Sequence, residues 1–285
     1  MDNPLPVVLV HGFWHGSWCW SPVTGELAAR GVQSVAVDLD GHGLRGPSPR
    51  ARWARPFDAE AFATAPSPVA DVTASSAAAS LADRVRAIGG GRPCLVVAHS
   101  MGGVVATALA ELAPELVGGL MYVAALAPVS GMPAAAYTTS PENAGEKVGR
   151  LLVADPEVLG VARIDVGNPS LRDRIKEGFY GDVDDRTADA AIGLLNSDAP
   201  AGIPLEQLTV TEERYGSIPH AYVTCARDYA VPLALQHRFI KEIDAVSASP
   251  TAVTELDCSH SPFLSQPVAL AEAIAEAANA HRERV

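Results

Sequence analysis

The chain has little cysteine, little positive charge and no long apolar run, and each shortage excludes something. Cys19, Cys94, Cys225 and Cys258 are the four cysteines among 285 residues, and no two form a C-x-x-C pair. A disulfide framework or a structural zinc site needs closely spaced thiols, so neither is expected. Three of the four lie in or beside apolar, strand-like runs, where a small thiol packs as a hydrophobe. Lysine and arginine number 21 against 33 acidic residues, a net charge of −12. Nucleic acid is held by clustered Lys and Arg, so neither that partner nor a polybasic membrane contact is expected. No apolar stretch approaches the roughly 20 residues that cross a bilayer. Met1-Asp2-Asn3-Pro4 has none of the basic start, apolar region and cleavage site of a secretory signal. The N-x-[ST] triplet Asn168-Pro169-Ser170 carries the disallowed proline. A soluble, cytoplasmic protein is the expectation.

What is present is a large supply of core. Hydrophobic residues make up 48% and charged residues 19%, enough to bury a substantial interior. Short β-branched runs bounded by Gly, Pro or Asp predict strands at Val7–Val10, Ser34–Val37, Cys94–Ala98, Gly119–Val123, His220–Cys225 and Ala252–Leu256. Amphipathic stretches between them predict helices at Ser21–Arg30, Ser76–Ile88, Met101–Ala113, Pro232–Ile243 and Pro267–Arg282. This alternation is that of an α/β fold, a mostly parallel sheet covered by helices on both faces. Two segments break it. Residues Asp40–Thr73 form a long excursion without clear period, and Pro128–Ser217 shows short helical patches but no convincing strand. We therefore expect a single domain over 1–285, its core from 1–127 and 218–285 and a helical cap from 128–217. An insertion after the strand near 119–123 would lie over the carboxyl edge of the sheet, where open α/β sheets bind ligands.

The chemistry centres on Val96-Val97-Ala98-His99-Ser100-Met101-Gly102-Gly103. A buried strand here turns directly into a helix through a serine with small neighbours, the nucleophile elbow of α/β-hydrolases. Ala98 replaces the first glycine of G-x-S-x-G, a difference of one methyl group. A serine nucleophile needs a base and a carboxylate to orient it, and in such enzymes the chain order is Ser, Asp or Glu, His. His11, His15, His42 and His99 precede or abut Ser100; His220 lies in a strand with no strand-ending acid before it. His237 lies within a helix close behind Asp228, and His281 in the C-terminal tail. His260 remains, in a loop after the last strand. Asp228 ends a strand just before Ala230-Val231-Pro232, whereas Asp257 is too near His260 to be the better choice. For the oxyanion hole the expected donors are the amides of Met101, which follows the nucleophile, and Phe13, in the first loop. Gly41-His42-Gly43-Leu44-Arg45-Gly46 matches a dinucleotide fingerprint, but Pro47-Ser48-Pro49 cannot continue into the helix that fingerprint needs. With no H-E-x-x-H, P-loop or EF-hand pattern either, no metal and no cofactor is expected.

Val8-Leu9-Val10-His11-Gly12 followed by His15-Gly16-Ser17-Trp18-Cys19-Trp20 resembles the opening of one α/β-hydrolase branch. That branch holds plant methylesterases, salicylate-binding esterases, hydroxynitrile lyases and bacterial relatives. The elbow, Asp228-x-Ala230-Val231-Pro232, His260…Leu264-Ser265-Gln266-Pro267 and the cap segment Phe179-Tyr180-Gly181-Asp182 fit it in order. The lyases carry Lys after the catalytic histidine and Thr after the first loop histidine, where this chain has Ser261 and Gly12, so the esterase side is favoured. The resemblance implies a serine hydrolase of small, largely hydrophobic esters or lactones, acting through an acyl-enzyme. Gly12, Trp14, His15, Tyr137, Phe179 and Phe263 are the expected substrate contacts, each aromatic equally able to be ordinary core. A C–C hydrolase, lyase or cyclase acting on a natural-product intermediate is the alternative, as is a non-catalytic small-molecule-binding protein.

Overall fold

The computed structural model describes residues 4–280. In chain order its strands are β1 (Val7–Val10), β2 (Ser34–Val37), β3 (Cys94–His99), β4 (Val117–Val123), β5 (Val161–Arg163), β6 (Asp198–Pro200), β7 (His220–Cys225) and β8 (Ala252–Leu256). Six of them form one parallel sheet in the order β2-β1-β3-β4-β7-β8. Side chains alternate across a strand, and the core divides accordingly. Val8, Val10, Val96 and Tyr122 pack with Leu81, Val104 and Phe239 on one face. Val7, Leu9, Val97 and Val123 pack with Val23, Leu27, Leu270 and Ile274 on the other. Helices Ala74–Gly89, Gly102–Leu112 and Leu233–Asp244 thus cover the first face, and Ser21–Ala29 and Pro267–Ala280 the second.

The helix expected from Ser76 starts two residues earlier, because the Thr73 and Ser76 side chains cap it reciprocally. It ends at Gly90, in left-handed backbone. The last expected helix is seen to Ala280; its continuation and His281 lie outside the described residues. The chain leaves β1 for β2 on one side and leaves the neighbouring β3 for β4 on the other, so the two connections diverge between β1 and β3. Such a switch point opens a crevice at the sheet edge. The loops after β1 and β3 meet there.

The segment between β4 and β7 corrects one expectation. It contains a two-stranded antiparallel sheet, β5 with β6, pairing Val161 to Pro200 and Arg163 to Asp198. Three-residue strands containing Asp and Pro are too short to show alternation. Their stability comes from Arg163, fully buried, whose Nε and Nη2 donate to the two Asp198 carboxylate oxygens at 2.7 Å each. Its Nη1 donates to the carbonyls of Phe62 and Ala65, which ties the 40–73 excursion to the segment between β4 and β7. That excursion carries the helix Ala59–Thr64, capped by Asp58, and single turns at Gly43–Arg45 and Arg50–Trp53. The turn at Gly43–Arg45 opens no helix. Among the described residues no helix is long and apolar enough to cross a membrane. All four cysteines are free and buried.

Candidate active site

Ser100 stands at the end of β3 with φ of 53°, in the left-handed region that residues with a Cβ rarely occupy. Three packed glycines explain how the turn closes. A Cβ on Gly102 would lie 2.3 Å from the His11 carbonyl oxygen, one on Gly103 2.4 Å from that of Leu126, and one on Gly12 2.6 Å from the Ser100 Cβ. Ala98 is fully buried within β3, and its methyl is accommodated. The turn is then locked by its own backbone: the Ser100 amide donates to Val123, and the Ser100 carbonyl accepts from Gly103 and Leu126. The Met101 and Phe13 amides donate to no protein acceptor among the described residues. Both residues line the same cavity as Ser100.

Two histidines hold the first loop. His11 Nδ1 donates to the Gly12 carbonyl at 2.7 Å while its Nε2 accepts from the Leu39 amide. That carbonyl belongs to the same peptide unit as the Phe13 N–H, so the contact sets the direction of the amide. His15 Nδ1 donates to the Phe13 carbonyl at 2.8 Å, and its Nε2 meets the Tyr180 hydroxyl, also at 2.8 Å. Burial pushes the His11 pKa down to about 4 and that of His15 to about 3, so both rings are neutral near pH 7. Trp14, with φ of 60°, donates from its indole to the Ala162 carbonyl of β5 and accepts from the Asn196 amide. The loop is therefore roped to the cap.

His260 and Asp228, both buried, come together: Nδ1 to Oδ2 is 2.8 Å. Asp228 Oδ1 accepts from the amides of Ala230 and Val231 at 2.7 and 2.9 Å, which fixes the carboxylate from behind. With Nδ1 facing a carboxylate, Nε2 is left as the imidazole's acceptor. His99, next to Ser100, donates from Nε2 to the His260 carbonyl at 2.8 Å, and the two rings lie 4.5 Å apart. Among the described residues the His260 ring bonds to Asp228 and its carbonyl to His99, and no hydrogen bond joins the ring to the Ser100 hydroxyl. Such contacts are commonly loose in unliganded enzymes and tighten around substrate.

A cavity of about 380 Å³ opens above Ser100, a size suited to a small molecule. Trp14, Tyr137 and Phe179 line it, with Leu126, Val231 and Leu235. Gly12 lies beneath Ser100 rather than in the wall. His15 and Phe263 do not reach the cavity. Phe263 is fully buried against the rings of Trp20, His99 and His15, and His15 is spent on the hydrogen bonds described. Sequence reasoning missed His99 and Arg163, whose partners lie far along the chain. Tyr180 and Asp182 carried a signal only as part of the Phe179–Asp182 segment.

The family model described as Alpha/beta hydrolase family matches residues 7–273. A pyrethroid hydrolase of Sphingobium wenxiniae is 29% identical over 280 residues, covering 97% of this chain and 89% of that protein. Methylesterase 7 of Arabidopsis thaliana is 26% identical over 283 residues, covering 98% of each. The crystal structure of a pyrethroid hydrolase from Sphingobium faniae JZ-2 superposes with a TM-score of 0.75 at 25% identity, covering 99% of this chain and 100% of that one.

Proposed function

The chain belongs to the alpha/beta hydrolase family, and from there we propose that it is a serine hydrolase of small, largely hydrophobic carboxylic esters or lactones. Its distant relatives include ester hydrolases, the pyrethroid hydrolase and the methylesterase among them. The observation that carries the reading is a serine in strained left-handed backbone, at an apolar cavity lined also by two residues with unengaged amides, Phe13 and Met101.

In the proposed reaction Ser100 Oγ attacks the ester carbonyl as His260 Nε2 takes its proton. Asp228 holds the ring and stabilises the imidazolium. Negative charge gathers on the former carbonyl oxygen, and the Phe13 and Met101 amides stabilise it, each such donor being worth about 2.7–4 kcal/mol. Nε2 then protonates the departing alcohol, leaving an acyl-serine. Water, deprotonated by the same nitrogen, releases the acid and restores the serine. The wall is mostly aromatic and aliphatic, with Glu146, Asp155 and Glu157 also on it, so it favours an apolar substrate and disfavours an anionic one.

A panel of methyl, aryl and lactone substrates tests this against Ser100→Ala. Turnover should fall about a thousandfold or more in the variant, and an activated ester should give a burst as acyl-enzyme accumulates. Inactivity on every ester, with proton-transfer chemistry that needs His260 but survives Ser100→Ala, would replace the reading with a lyase on the same fold.

A further inference from the structure

The turn at 179–182 reaches the first loop, the His260 loop and the residue beside Asp228. Phe179 lines the cavity, its ring 6.0 Å from that of His260 and 5.7 Å from Trp14. Tyr180 is fully buried and bonds to His15 Nε2 at 2.8 Å. Because His15 Nδ1 faces the Phe13 carbonyl, that nitrogen carries the ring proton, and Tyr180 is the donor at the other end. Two residues on, Asp182 accepts a hydrogen bond from Ser259 Oγ, beside His260. The same carboxylate lies 3.8 Å from the guanidinium of Arg227, beside Asp228. Arg227 also pairs with Asp257 at 2.7 Å, closing the two loops on each other.

We infer that Tyr180 and Asp182 are positioning residues, Tyr180 aligning the oxyanion loop through His15 and Asp182 aligning the His260 and Asp228 loops through Ser259 and Arg227. The inference rests on the serine-hydrolase reading above. The physical reason for such residues is geometric. The loops after β7 and β8 are already joined by backbone hydrogen bonds from Ala226 to Leu256 and from Arg227 to Cys258, but β1 pairs with neither strand, so its loop needs a separate tie to them. A single rigid turn laid across all of them holds the oxyanion donor and the base in one frame. Misplacement by about 1 Å costs on the order of a hundredfold in rate.

The test separates alignment from plain stability. Tyr180→Phe removes one oxygen and should lower kcat roughly tenfold while KM moves less than about twofold. Affinity for a trifluoromethyl ketone, which forms an oxyanion with the serine, should weaken by the same factor as kcat/KM; affinity for the unfluorinated ketone should not. Asp182→Ala should also lower kcat, again with KM moving less than about twofold. Asp182→Asn keeps an acceptor for Ser259 and should recover most of that loss. Active-site titration and melting temperature are measured on each variant. Wild-type kcat and wild-type ketone affinity in both Tyr180→Phe and Asp182→Ala would overturn the inference. So would losses that vanish once corrected for the titrated fraction of active protein. A dead Ser100→Ala beside a wild-type Tyr180→Phe defeats the positioning claim alone, whereas an active Ser100→Ala defeats the functional reading beneath it.

Discussion

At the scale of single residues, the site is made by atoms that are missing. Gly12, Gly102 and Gly103 let the first loop and the helix after Ser100 approach each other closer than any side chain would allow. Gly102→Ala would drive a methyl to 2.3 Å from the His11 carbonyl, a backbone atom that cannot swing away. Overpacking of this kind costs about 1–3 kcal/mol. Urea unfolding should show that loss, and ester turnover should fall with it because His11 orients the Phe13 amide. Gly12→Ala should behave differently. Its methyl would press on the Ser100 side chain, 2.6 Å from Cβ and 3.1 Å from Oγ. Turnover should collapse by a larger factor than the midpoint of unfolding shifts, and comparing the two assays on both variants checks the distinction.

At the scale of elements, the two-stranded sheet of β5 and β6 depends on one buried ion pair. Arg163 is fully buried and Asp198 is 3% exposed, so neither charge has water as a substitute partner. Removing one member of such a pair typically costs about 3–5 kcal/mol, since the survivor stays buried and uncompensated. Asp198→Ala should therefore open the cap, seen as faster hydrogen exchange in 161–163 and 59–64 while β3 and β4 stay protected. Replacing both, Arg163→Met with Asp198→Leu, should recover much of the loss. A mild Asp198→Ala beside a damaged double variant would show that the hydrogen bonds to Phe62 and Ala65, not the charge pair, hold this part of the cap. The Trp14 indole is bonded to Ala162 of the same small sheet, so opening it should also reduce turnover.

At the scale of the whole molecule, the chain buries an unusual number of neutral imidazoles. Burial lowers the pKa of His11 and His220 to about 4 and of His15 and His42 to about 3, and holds His99 well below the ordinary histidine value. In the unfolded chain these groups titrate near 6.5. Between pH 6.5 and about 4 the unfolded state therefore binds protons that the folded state refuses. Stability is fully present above pH 6.5 and is lost as pH falls through that window, by about 1.4 kcal/mol per pH unit for each such group. Denaturant unfolding at pH 7.5 and 5.5 should show a steep decline. His220→Gln lies at the start of β7, away from the cavity, and should reduce the slope by about one proton without touching turnover. A flat profile would mean that these rings are charged in the folded protein.

The core strands and the helices between them could be read from local pattern alone. Short β-branched runs bounded by Gly, Pro or Asp mark strands over a few residues, and Ser100 followed by Met101-Gly102-Gly103 marks the turn because the steric demand there is met by near neighbours. The pairing of Asp228 with His260 was also within reach, since loops at strand ends are constrained to one edge of a parallel sheet. Other features had no local trace. Three-residue strands such as Val161–Arg163 carry no period, and the same buried aromatic pattern serves Phe179 in the cavity wall and Phe263 in the core. Tyr180 on His15 and His99 on the His260 loop join positions more than 160 residues apart. The sequence by itself determined where the core strands and helices lie and where the chain turns at Ser100, because local pattern and turn sterics act between neighbours. Only the tertiary structure decided which aromatic faces the cavity and which side chains hold the loops in register, because those contacts exist only once distant segments share one edge of the sheet.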